Sequence, residues 1–383
     1  MRCGWGKRFA SSSAAALAVS LALAFAASAH AAPQLADARA WYVVNGTNGD
    51  ILAAHDASAR VPIASITKLM TVLVALKHLR PDDVVTVTSG AAQVGESRIP
   101  LHSGQRISVH DLLEGALIQS ANNAADALAA AAAGGDVATF VGWMNDRARQ
   151  LGLHDTHFVR PDGLDTPGHV SSARDVALLA RIAMRSPVVR SIVAKRSDVI
   201  ENGTVPVHTW NDLLGVVPGM IGVKTGHTDD AGWCQVAAVR RPGYTIYAVV
   251  LGVPTRSARN ADLQRLLSFG VAQYRPAWLV RARTYAWASV PYGRRPVALV
   301  ATKPALRIVR RRLPLVERIV APAAVSLPVR QGEQLGRVEI WRGRKLVVSR
   351  PLRAARAVTK PGVAGRVSYY TGRTMHHLVG LLR

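Results

Sequence analysis

The stretch VPIASITKLMT, residues 61–71, sets a hydroxyl and an amine three positions apart, at Ser65 and Lys68, inside an apolar run. The run stays apolar to Leu79 and stops at Pro81, which predicts a core helix with almost no solvent face. On a helix, positions i and i+3 share a face, so the hydroxyl and the amine can be neighbours. A serine hydroxyl becomes a nucleophile only beside a base. A lysine serves as that base only where burial or another cation lowers its proton affinity, and a segment this apolar supplies the burial. If Ser65 opens the helix, its backbone N–H also faces the place where an oxyanion would form. A capping serine is the commoner reading of Ser-x-x-Lys by itself.

Two further motifs weigh against that bland reading. Ser120-Ala121-Asn122 lies in ALIQSANNAADAL, at a break between helical runs. Its hydroxyl and amide can relay a proton and orient a substrate, or simply cap a helix. Lys224-Thr225-Gly226 ends an apolar run and precedes His227. A strand with a lysine, a hydroxyl and a glycine can pair with an extended peptide, the glycine allowing close approach. Lys224 is expected to bind a carboxylate and to lower the proton affinity of Lys68 by like-charge repulsion; alone, it also reads as an exposed strand-end lysine. Ser-x-x-Lys, Ser-x-Asn and Lys-Thr-Gly in this order are the set used by penicillin-binding proteins and class A β-lactamases.

Around these motifs, WYVV and ILAA flank NGTNGD as strand, turn and strand. Helical patterns follow at about 109–134, 136–151 and 173–184, with Asp175 in the first turn of the last. Strand patterns at 222–225, 232–240 and 244–253 precede an amphipathic helix at 258–274. Strands at both ends with helices between predict an α/β domain, one sheet covered by helices. From residue 281, short β-rich runs separated by Pro, Gly and charge predict a small all-β domain to 358. Residues 359–383 read as a linker and an amphipathic tail.

The chain has 383 residues and a net charge of +24. Residues 281–383 hold 22 Lys and Arg against 3 Asp and Glu, a net of +19. Arg2, Lys7 and Arg8, an Ala/Leu-rich stretch and Ala29-His30-Ala31 read as a secretory leader, cleaved near Ala31. In an exported chain the basic region suits anionic membrane or wall polymers, and no nucleic-acid partner is expected. The only cysteine past the leader is Cys234, so no intramolecular disulfide is expected there.

With all three motifs in place, the chain resembles the low-molecular-mass penicillin-binding proteins that act as serine-type D-alanyl-D-alanine carboxypeptidases of the peptidase S11 family. ASITKLMT, LLEGALIQSANNAADALA, MNDRARQLGLHDTHF, GLDTPGHVSSARDVALLAR and GVKTGHTDDAGW carry the resemblance, over about residues 35–280. It implies a two-lobed transpeptidase-like catalytic domain at 32–280, followed by the small β domain and a membrane-associating helix. It further implies Ser65 as the acylated nucleophile and Lys68 as its base, with Ser120 and Asn122 on the opposite wall. Lys224, Thr225 and Gly226 would form the sheet edge, Thr225 near the substrate's terminal carboxylate. The backbone N–H groups of Ser65 and His227 would form the oxyanion hole. Arg259, in TRSARNAD, would help hold that carboxylate, with Arg256 or Ser257 as the alternative positions. The implied partners are peptidoglycan stem peptides and β-lactams; the implied location is the outer face of the cytoplasmic membrane.

Other classes fit less well. PDGLDTPGHVSS, between the second and third motifs, lacks the glutamate that class A β-lactamases use for deacylation, so slow β-lactam release is expected. His154, His157, His376 and His377 come without a carboxylate-rich constellation, and no metal or cofactor is expected. A D,D-endopeptidase and a catalytically weak wall-binding protein remain as alternatives.

Overall fold

Strand residues alternate between two cores, and that alternation builds the centre of the molecule. In the computed structural model, which describes residues 33, 35, 37–201 and 203–381, a five-stranded antiparallel sheet runs in the order Ile51–His55, Ala40–Asn45, Tyr244–Val253, Gly232–Arg241, Met220–Thr228. The leader read at residues 1–31 lies outside the described residues. Along Tyr244–Val253, Tyr247, Val249 and Leu251 face one core while Ile246, Ala248 and Val250 face the other. The second core is closed by Leu263, Leu266 and Leu267 of helix Arg256–Ala272. The first is the larger and belongs to the helical lobe.

The expected core helix is found at Lys68–His78, preceded by a 3-10 turn at Ala64–Thr67. Leu69, Met70, Val72, Val74 and Ala75 are buried around its whole circumference. Helices Asn122–Ala132, Val137–Leu151 and Ala173–Ala183 surround it. Ser172 caps the last through the Asp175 N–H.

The pattern at 109–134 is not one helix. It runs as an α-helix at Val109–Glu114 and a π turn at Gly115–Gln119, then breaks at Ser120, whose φ of 64° is left-handed. The break diverts the Asn122 N–H to the Ser97 carbonyl at 2.7 Å. Ala64, with φ 48°, is a second left-handed non-glycine beside the same motifs. Such positions cost about 1–3 kcal/mol each and persist only where surrounding contacts hold them.

The second sheet orders Arg283–Ala288, Val297–Ala301, Lys345–Ala354, Gln334–Arg342 and Val316–Val320 over its own cluster, including Leu299, Val338 and Leu352. Strand Tyr274–Val280, N-terminal to the boundary drawn at 280, pairs with Ala305–Arg310, so the junction of the two sheets lies near Gln273. Helix Val363–Leu381 follows, with Val363, Val367, Tyr370 and Met375 exposed; Tyr369 packs against Tyr292.

Phe140, fully buried between the core helix and its neighbours, carries much of the lobe's packing. Phe140→Ala is expected to destabilise the protein by about 3–5 kcal/mol, read as a lower urea midpoint with an unchanged slope.

Candidate active site

Lys68 is fully buried, and its Nζ contacts Ser65 Oγ at 2.6 Å, Asn122 Oδ1 at 2.7 Å and the Asp162 carbonyl at 2.7 Å. An amide oxygen and a carbonyl can only accept, but a hydroxyl can also donate. Both protonation states satisfy all three contacts: the ammonium donates to each, and the neutral amine donates to Asn122 and Asp162 while its lone pair accepts the Ser65 proton. Burial drives Lys68 toward the neutral amine, lowering its pKa to about 8 against the opposing pull of Asp162, Asp126 and Glu96.

Each partner comes from a different element. Ser65 sits on the 3-10 turn, Asn122 opens the helix after the break, and Asp162 belongs to the loop that follows Val137–Leu151. That loop is clamped. Arg160 donates to the Asp162 carboxylate at 2.5 and 2.7 Å, and Thr71 Oγ1 donates to the Pro161 carbonyl. Gly163 has φ 86°, and a Cβ there would stand 2.2 Å from the Ala64 carbonyl oxygen, so only glycine fits. His169 ties the loop from the other side. Its Nδ1 accepts from the Val159 N–H, which leaves the ring proton on Nε2 to be donated to Thr67 Oγ1 at 2.7 Å. Burial holds this ring neutral, with a pKa near 4.

The sheet edge closes the other side. Gly226 comes so near the nucleophile turn that a Cβ would lie 2.8 Å from the Ile63 oxygen and 3.1 Å from the Ser65 nitrogen. The glycine thus serves contact between strand and turn. Lys224 is buried, and donates to Ser120 Oγ and the Thr225 carbonyl, both at 2.8 Å. The repulsion expected between the two lysines is seen at Lys224. Burial, then repulsion from Lys68 and Arg259, lowers Lys224 well below an ordinary lysine. Lys224 is not an exposed strand-end lysine, because it faces Ser120.

A cleft of about 240 Å³ is lined by Ser65, Ser120, Asn122, Thr225, Gly226, His227 and Arg259. Lys68 and Lys224 lie behind its surface rather than on it. Arg259 is almost fully buried. Its guanidinium lies 5.4 Å from the Trp233 ring centre and donates to Asp212 at 3.0 Å and to Asn260 at 2.7 Å. Burial lowers its pKa to about 10, Asp212 opposing. Arg256 also pairs with Asp212 but does not line the cleft. Sequence reasoning missed Glu96, Ser97, Leu164, Trp210 and Trp233 on the walls, and the anchors Asp162, His169 and Asp212. None of them belongs to a spaced motif, so only the folded loops reveal them. Among the described residues, no cluster of three or more His, Cys, Asp or Glu is placed to hold a metal ion.

Comparison with known proteins agrees with this geometry. The family model for D-alanyl-D-alanine carboxypeptidase, peptidase S11, matches residues 26–255. The D-alanyl-D-alanine carboxypeptidase DacF of Bacillus subtilis is 30% identical over 340 residues, covering 85% of this chain and 87% of that protein. Penicillin-binding protein 5 of Haemophilus influenzae aligns at a TM-score of 0.62 and 28% identity, over 86% of this chain and 99% of that one. Penicillin-binding protein D2 of Listeria monocytogenes, solved in its ampicillin-bound form, aligns at a TM-score of 0.56 and 32% identity, over 63% of this chain and 100% of that one. The transpeptidase-like α/β fold, the Ser65–Lys68 contact and the family match together establish that the chain belongs to the peptidase S11 family of D-alanyl-D-alanine carboxypeptidases.

Proposed function

We propose that the chain removes the terminal D-alanine of peptidoglycan pentapeptide stems through an acyl-enzyme on Ser65. The observation that carries this reading is the Lys68 amine, buried and 2.6 Å from Ser65 Oγ. Neutral Lys68 takes the hydroxyl proton as Ser65 Oγ attacks the D-alanyl carbonyl carbon. The oxyanion forms against the N–H groups of Ser65 and His227. The proton then passes to the departing D-alanine nitrogen, with Ser120, held by Lys224, as the relay and Asn122 orienting the stem. Water attacks the ester, returns the proton to Ser65 and releases the shortened stem. Thr225 and Arg259 hold the terminal carboxylate of the substrate, Gly226 keeping the strand close beneath it.

β-Lactams enter by the same attack. The ampicillin-bound Listeria relative supports this, and the segment PDGLDTPGHVSS without glutamate supports slow release. Labelling with a fluorescent penicillin should mark the wild type and not Ser65→Ala, and Lys68→Ala should slow labelling by roughly 10²–10⁴-fold. A wild type that does not label would favour a wall-binding protein. Mass spectrometry of a purified pentapeptide should show loss of one alanine. Cleavage of cross-linked stems with the pentapeptide left intact would point instead to a D,D-endopeptidase.

The remainder of the chain fits work at a membrane. The leader-like residues 1–31 suit export, while the basic β-rich residues 281–358 and the tail at 359–383 suit an anionic lipid surface or wall polymer. Support comes from the exposed Val363, Val367, Tyr370 and Met375 beside Arg366 and Arg373. Truncation after Lys360 is expected to shift the protein from the membrane fraction to the soluble one without changing pentapeptide hydrolysis. Unchanged fractionation would count against the tail as an anchor.

A further inference from the structure

Asp126 takes no part in the reaction outlined above, yet it stands one turn from Asn122 on the same face of helix Asn122–Ala132. Asn122 holds the Lys68 amine. The Asp126 Oδ2 atom is buried, and no donor among the described residues reaches it. Its carboxyl instead meets the carboxyl of Asp162. Two carboxyl groups in contact satisfy each other only when one carries a proton.

Asp162 is the ionised member. Arg160 donates to it twice and the Leu164 N–H donates at 3.0 Å. Burial opposes that charge, but Arg160, Lys68 and the Leu164 N–H outweigh it. Asp126 has no such donors, so the shared proton belongs to Asp126. Asp162 also reaches the catalytic amine, through its backbone carbonyl. The other charged groups acting on Lys68 are Glu96 on the cleft wall and Arg160, and Lys224 lies behind Ser120.

We propose that Asp126 is a positioning residue whose shared proton decides at what pH Lys68 becomes a base. While Asp126 is an acid, Arg160 balances Asp162 and the Lys68 amine can stay neutral. When Asp126 ionises, a second negative charge without its own cation favours the ammonium form of Lys68. One proton is exchanged between the carboxyl and the amine, a neutral pair for an ion pair, and nothing else is consumed. Burial, with Asp162 adding to it, pushes Asp126 up to about 8, and burial brings Lys68 down to about 8, so the two compete in one pH range.

This inference rests on Lys68 as the base. Its test is the rate of acylation by a fluorescent penicillin from pH 5 to 10. Asparagine cannot ionise, so Asp126→Asn removes a charge that favours the ammonium. The upper part of the acid limb, where wild-type Asp126 is ionised, should move to lower pH and make acylation severalfold faster near pH 8–9, while the foot, where Asp126 already carries its proton, and the high-pH plateau stay unchanged. Asp126→Ser, smaller and also neutral, should shift the limb the same way, and Asp126→Glu should restore the wild-type limb. A uniform loss of rate with the limb in place in both neutral variants would mean that Asp126 only fills space, and would overturn the proposal. A wild type that is not acylated at any pH would sink the nucleophile-and-base reading, and this one with it.

Discussion

A lysine amine sealed from water dictates how the helical lobe is built. An ammonium at the Lys68 position would need strong compensation for its lost hydration. None of its three contacts is a carboxylate oxygen. Burial brings its pKa down to about 8, within reach of the neutral amine, whose coordination the serine proton then completes. Each contact demands a local irregularity: a 3-10 turn for Ser65, a broken helix for Asn122, a clamped loop for Asp162.

Those irregularities gather the strain. The left-handed Ser120 and Ala64 flank the site, and neither would persist in a free peptide. Ser120 is secured by Lys224 from the sheet and Ala64 by the close backbones of Gly163 and Gly226. The cores on either side of the sheet supply the rigidity that holds these positions, which ties the packing of residues such as Phe140 to the chemistry of residues far along the chain.

The motifs were legible because they are short and chemically loaded. Ser65, Lys68, Ser120, Asn122 and Lys224 converge, and Thr225, Gly226, His227 and Arg259 line the same cleft. Period-two and period-3.6 patterns found the strands and the core helix. What escaped depends on long-range contact. The break at Ser120 requires Lys224 to come across from the sheet, and helical periodicity carries no trace of it. Asp162 and Asp126 look like ordinary loop and helix carboxylates until the fold brings them together.

Gly163 and Gly226 press on the Ala64–Ser65 turn from two directions, one from a loop and one from a strand. The floor of the cleft is thus a wedge of backbones with no room for side-chain variation. The walls are instead built of side chains, among them Glu96, Trp210 and Trp233. The turn that carries Ser65 is thereby fixed by backbone, while the cleft around it is shaped by side chains.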